Sequence, residues 1–246
     1  SEKTPDGRYK LAQLVRANRA IDDVCRAYQL PCISGKDSMK NDVTMHGEKI
    51  SVPPTILFSL IGNHNDVRKA VSSDFKQVGD HIFLLGETHH ELGASEVAYM
   101  FRDECSGGIG GRAPAIDAER NLAMYRALTG AMSRGLVASA HDCSDGGLAV
   151  SLAECCFGAG SGASVEISEL GSSDPDLDSF GALFSESLGR ILVSVSPENS
   201  QAFTEAMQGH TCHRLGSVSE GDNLSVTSEG TPTLTASVSV LKQSWQ

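Results

Sequence analysis

The run Ser139-Ala140-His141-Asp142-Cys143-Ser144-Asp145-Gly146-Gly147-Leu148 concentrates the polar chemistry of this chain. It falls where an apolar strand gives way to an apolar helix, with two glycines at the junction. Amides at a helix N-terminus can hold phosphate, and glycine lets a ligand approach the backbone closely. Two aspartates would repel a bare phosphate. A divalent metal between them removes the conflict, because Mg²⁺ takes hard oxygen ligands from carboxylate and phosphate alike. Asp142 is therefore a candidate Mg²⁺ ligand and Ser144 a candidate phosphate donor, with Gly146 and Gly147 as the backbone under a nucleotide. The same residues also suit an Asp or Ser helix cap with a tight turn.

A second run, Ser34-Gly35-Lys36-Asp37-Ser38-Met39-Lys40-Asn41, has related chemistry. Gly35 permits tight backbone geometry, and Lys36 supplies a point charge for phosphate. Asp37 can hold metal and Ser38 can donate. The P-loop spacing is absent, and taken alone the run reads better as a polar hairpin loop. Gly108-Ile109-Gly110-Gly111-Arg112-Ala113 matches G-x-G-x-x-A, but a helix-like segment precedes it, so a flexible loop is the better reading. His89-His90 and His210-Thr211-Cys212-His213 contain metal-ligating types. Adjacent strand residues face opposite ways, so neither makes a zinc site alone. With no G-x-S-x-G, H-E-x-x-H or Cys-x-x-Cys, serine-hydrolase and zinc-hydrolase readings have little support.

The elements that must position these residues follow from periodicity. Apolar residues at spacings of three and four from Leu11 to Tyr28 predict a helix over 10–29, stopped by Pro31. Residues 31–34 read as a short strand, His46-Gly47 as a hairpin turn, and 50–61 as an apolar β-rich stretch. A short helix is expected over 66–71, a buried strand over 81–86 and a helix over 92–101. Asp117 is a good N-cap for a helix ending at Gly135. Strand 136–140, the loop 141–147 and an apolar helix over 148–157 complete the setting of the first motif. Strands at 165–167, 190–195, 213–218 and 223–226 follow, with an acidic loop over 171–178 and a helix from Pro197 to Met207.

The chain has 246 residues, enough for one large domain or two small ones. Its 20 Lys and Arg against 31 Asp and Glu give a net charge of −11. That excludes a broad attraction for nucleic acid or an anionic membrane. No apolar run is long enough to span a bilayer. The polar start shows no secretory signal and lacks Met, as an internal piece of a longer protein would. Seven cysteines without a pairing motif read as reduced thiols, consistent with a cytoplasmic location.

Three stretches together resemble phosphoribosylformylglycinamidine synthase (formylglycinamide ribonucleotide amidotransferase). They are Leu30–Asp42 with Lys49–Ser59, Ala140–Phe157, and Leu183–Val195, and the likeness covers nearly the whole chain in order. The resemblance implies an α+β fold like that of aminoimidazole ribonucleotide synthetase. Residues 1–75 would be the C-terminal remnant of a barrel-forming first domain, and 76–246 a complete three-layer α+β second domain. It implies an ATP-dependent ligase of de novo purine biosynthesis. Formylglycinamide ribonucleotide, glutamine-derived ammonia and ATP become formylglycinamidine ribonucleotide, ADP and phosphate. Mg²⁺ and ATP or ADP are the implied cofactors. The implied partners are the remaining synthetase domains and a glutaminase domain or subunit.

Residue by residue, the resemblance makes Asp142 an Mg²⁺ ligand and Ser144 a nucleotide contact in an auxiliary site of the long single-chain branch. Gly35, Lys36 and Ser38 would line the nucleotide or substrate pocket, and Asp37 is a weaker metal candidate. The small-subunit branch has Asn where Lys36 stands, which puts direct metal ligation there in doubt. The family's catalytic His belongs to a segment this chain lacks, so no catalytic residue is assigned and the chain alone is expected to be inactive. A truncated first domain should expose apolar edges and favour a homodimer. Two other readings are a non-catalytic scaffold with a structural nucleotide site, and another synthetase of the same superfamily.

Overall fold

The computed structural model describes residues 7–36, 42–51, 55–64, 66–103, 111–158 and 160–246. They fall into two compact units, 1–65 and 66–246.

The first unit contains helix α1 (Gly7–Tyr28) and a hairpin of β1 (Asp42–Met45) and β2 (Glu48–Ser51). The hairpin turns at His46-Gly47, both at positive φ (52° and 83°), as a two-residue primed turn requires. These two strands form a sheet of their own, and among the described residues of this unit no closed barrel is present. The expected strand over 31–34 is irregular backbone, and so are 55–64. Ile56, Leu57, Phe58, Leu60 and Ile61 are exposed there. An apolar, β-branched run becomes a strand only when it has a strand to pair with, and among the described residues no strand forms a ladder with it.

The second unit is a seven-stranded mixed sheet between two helical layers. Its strands are β3 (His81–Leu85), β4 (Ser139–Asp142), β5 (Gly162–Glu166), β6 (Ile191–Val195), β7 (Cys212–Ser219), β8 (Asn223–Ser228) and β9 (Thr231–Ser237). Their order is β4-β6-β3-β7-β5-β8-β9, antiparallel throughout except for the parallel pair β5–β8. Central β3 reads His-Ile-Phe-Leu-Leu because both of its faces are covered. Ile82 and Leu84 face one core, and Phe83 and Leu85 the other.

The first core lies under α4 (Gly147–Phe157), α5 (Ser179–Phe184) and α7 (Val238–Trp245), through Leu148, Leu152, Leu183 and Val238. The second lies under α3 (Ala118–Ser133) and α6 (Ser200–Ala206), through Met124, Leu128 and Phe203. Each fully buried side chain of this size stabilises the fold by about 1.5–3 kcal/mol before entropy is counted. The three-layer α+β expectation for this part of the chain matches the observed layers.

Several boundaries differ from the sequence expectation. The strand expected over 136–140 is β4 at 139–142, so His141 and Asp142 end a strand instead of opening a loop. The helix expected over 92–101 is the single turn α2 (Glu96–Met100), and the acidic stretch begins as a 3₁₀ segment at Ser168–Ser173. The short helix expected over 66–71 is a 3₁₀ turn at Val67–Lys69, capped by Asp66. Residues 108–110 of the glycine-rich 108–113 run lie outside the described residues.

Candidate functional site

Strand β4 carries Asp142 to the sheet's edge, where Cys143 N–H closes on Arg190 O at 3.1 Å. The chain then turns through Gly146 and Gly147, at φ 77° and 66°, into α4. Only glycine fits this turn. A Cβ on Gly147 would overlap the carbonyl oxygen of Ser185, and one on Gly146 would overlap Val150. Ser151, buried inside α4, satisfies its hydroxyl by donating to Gly147 O at 3.0 Å.

Ser144 Oγ donates to Asp142 Oδ2. His141 Nδ1 lies 3.5 Å from Asp142 Oδ1, and its Nε2 lies 2.8 Å from Glu154 Oε2 on α4. The Ser144 hydroxyl first, then Asp142's own backbone N–H and His141, hold the Asp142 carboxyl below its usual range against some desolvation. The carboxylate is therefore ionised at neutral pH, and its side chain is 73% exposed.

An open cleft of about 570 Å³ lies beside it, lined by Asp142, Ser144, Asp145, Glu186, Arg190 and Tyr125 among others. Two of these residues had no role on sequence grounds. Glu186 Oε1 accepts from Gly146 N–H at 2.9 Å and from Glu96 N–H at 2.8 Å, so one carboxylate serves the N-terminal ends of both α4 and α2. Arg190 is almost wholly buried, and burial pulls its guanidinium down from the ordinary range. It donates to Ser185 O, Ser187 O and Thr88 Oγ1, tying the α5–β6 connection to the loop after β3. Both residues stand inside the Leu183–Val195 stretch, and a charged pair before a buried strand was the available signal.

The structure thus brings together Asp142, Ser144, Gly146 and Gly147. The amide of Gly146 is engaged by Glu186, and the amide of Gly147 bonds to Ser144 O at 3.0 Å. Gly35 and Lys36 stand in the other unit, in exposed irregular backbone. Asp37 and Ser38 lie outside the described residues. His89 contacts Glu87 (3.4 Å) and Asp174 (3.7 Å), which makes it a member of a polar cluster and not part of the cleft.

Among the described residues, no group of three or more His, Cys, Asp or Glu could hold a metal ion. Among the described residues, Asp142 has no ready-made protein cage around it. Mg²⁺ characteristically uses one or two carboxylates and completes its shell with phosphate oxygens and water. An ionised, exposed Asp142 with one oxygen turned away from Ser144 fits that shared arrangement. Among the described residues no helix is long and apolar enough to cross a membrane.

Residues 77–229 match the family model of the AIR synthase related protein, C-terminal domain. Over 218 residues the chain is 38% identical to the phosphoribosylformylglycinamidine synthase subunit PurL of Thermobifida fusca, covering 87% of this chain and 26% of that protein. The chain thus spans about a quarter of that relative's length. Two solved structures share the fold. T. maritima PurL complexed with FGAR has a TM-score of 0.61 at 20% identity, over 71% of this chain and 30% of the other. T. maritima PurL complexed with ATP has a TM-score of 0.57 at 21% identity, over 71% and 27%. At those identities the likeness speaks for the fold alone, while the family model covers most of the chain. The chain therefore belongs to the AIR synthase related protein family, as a C-terminal domain of the phosphoribosylformylglycinamidine synthase kind.

Proposed function

We propose that this chain is part of an ATP-dependent ligase of de novo purine biosynthesis. The parent enzyme converts formylglycinamide ribonucleotide, glutamine-derived ammonia and ATP to formylglycinamidine ribonucleotide, ADP and phosphate. The observation that carries the reading is the ionised Asp142, with Ser144 on its oxygen, at the mouth of an open cleft. Bound there, Mg²⁺ would neutralise phosphate charge. Asp142 would hold the ion, Ser144 would turn its hydroxyl to a phosphate oxygen, and Gly146 and Gly147 would let the nucleotide approach the backbone. Gly35, Lys36 and Ser38 would line the substrate side, with Asp37 as a second metal candidate. Relatives of the same fold were solved with ATP, ADP and FGAR, the ligands this reading calls for.

Residues 1–75 are read as the end of a barrel-forming domain and 76–246 as the complete second domain. The partners are the remaining synthetase domains and a glutaminase domain or subunit, in the cytoplasm. The exposed apolar residues 56–61 support self-association as a homodimer when those partners are absent. No residue of this chain is assigned to the chemical step. Assayed with ATP, formylglycinamide ribonucleotide and ammonia, the chain is expected to show no turnover above Asp142→Ala. Turnover well above that variant would overturn the assignment of an inactive part.

One observation favours a scaffold with a structural nucleotide site as the second reading. Glu186 already takes the Gly146 amide that a phosphate would use. Nucleotide that raises thermal stability yet is never turned over by the assembled enzyme would select this reading.

A further inference from the structure

Two thiols meet at the end of α1. The helix closes with a pair of backbone bonds, Gln29 N–H to Arg26 O (3.2 Å) and Leu30 N–H to Cys25 O (2.9 Å). Gln29 takes the left-handed conformation (φ 57°) that this helix ending requires. Pro31 cannot continue a helix, and the reversed chain runs back beside the last turn. Cys32 is thereby laid against Cys25, with their sulfurs 3.6 Å apart.

Cys32 is exposed and Cys25 half-buried. The other described thiols are placed differently. Cys143, Cys155 and Cys156 are buried, and burial pushes each thiol up, that of Cys156 to about 12. Burial also pushes Cys212 up to about 11. Thiols held protonated in apolar surroundings are poor nucleophiles. Cys25 is raised too, chiefly by its hydrogen bond with Cys32, a cause that lapses once the Cys32 sulfur is held in a mixed disulfide.

We propose that Cys25 and Cys32 form a reversible dithiol–disulfide site, oxidised by a low-molecular-weight disulfide of the glutathione class. Cys32, the more exposed sulfur, attacks glutathione disulfide as its thiolate and expels one glutathione thiolate, leaving a mixed disulfide. Cys25 then gives up its proton and attacks the Cys32 sulfur. The Cys25–Cys32 bond forms as the bond to the second glutathione breaks. The two protein thiols together lose two electrons. One glutathione disulfide becomes two glutathione thiols, which take up the two protons. A disulfide needs its sulfurs about 2.04 Å apart, so the observed contact must close by about 1.6 Å. The bridge would fasten residues 30–33 to α1, just ahead of Gly35.

Trypsin cleaves after Arg19, Arg26 and Lys36, so Cys25 and Cys32 fall on separate peptides, 20–26 and 27–36. The whole chain is incubated with glutathione disulfide in native buffer, alkylated, and separated on a non-reducing gel before digestion. The expected result is a linked 20–26/27–36 pair from the monomer band, released by dithiothreitol. In Cys25→Ser, Cys32 should instead end as a lasting glutathione adduct. A wild-type chain that stops at the Cys32–glutathione adduct overturns the proposal. So does one that links only between chains, or that does not react. The wild-type measurement decides the matter even where the variant folds poorly.

Discussion

Gly147 fixes the turn into α4 more firmly than its lack of a side chain suggests. Its φ of 66° and the carbonyl oxygens of Ser185 and Leu183 leave no space for a methyl group. Gly147→Ala should cost about 2 kcal/mol or more, the size of backbone strain at such positions with overlap added, read as a lower urea midpoint. An unchanged midpoint would mean that the turn relaxes freely. Glu166 is a second residue with a definite consequence. Its carboxylate accepts from Thr227 Oγ1 (2.8 Å) and from the amides of Ser168, Glu229 and Gly230. The Thr227 hydroxyl bond is the largest of the causes that hold it at about 2, down from 4.5. The folded value is depressed, so this stabilisation is fully present above the ordinary carboxylate value. It is lost as pH falls from there through about 2. Thermal midpoints of wild type and Glu166→Gln should therefore differ most near neutral pH and converge toward about pH 2. A gap independent of pH would contradict the assignment.

At the scale of elements, Arg190 is the tie between two connections that border the cleft. Arg190→Met would leave the carbonyls of Ser185 and Ser187 without this donor while removing a charge that is costly to bury. Setting one effect against the other, a net loss of about 2 kcal/mol is expected in urea unfolding. A neutral result would show that water replaces the guanidinium. Elements with strong local signals were legible in the sequence. Asp117 caps α3 by accepting from Arg120 N–H, and Gly135 (φ 72°) ends it, as their types indicate. The His46-Gly47 hairpin and the doubly buried β3 were equally plain. Elements whose existence depends on distant partners were not. Strand β9, Thr-Pro-Thr-Leu-Thr-Ala-Ser, is a half-exposed edge with little apolar alternation, held by pairing to β8. Helix α5 has six residues, too few for a 3.6-residue period to show. The 55–61 run failed in the opposite sense, since its composition suits a strand but no strand of the described residues forms a ladder with it.

For the molecule as a whole, the same division governs the site. Asp142, Ser144, Gly146 and Gly147 are contiguous, so their association was readable from one stretch of sequence. Glu186 and Arg190 reach the cleft only because β6 pairs with β4, a fact of topology that no local pattern contains. The consequence is chemical. The cleft mouth carries Asp142, Asp145 and Glu186, and the amide best placed for an anion is occupied. A phosphate should therefore enter only with a divalent cation to carry its charge. The direct measurement is calorimetric titration of the chain with ATP or ADP, with and without Mg²⁺, for wild type and Asp142→Ala. Binding that requires Mg²⁺ and is lost in Asp142→Ala is the expected result. Binding of equal strength without Mg²⁺, or retained in the variant, would contradict it, as would no binding by the wild-type chain.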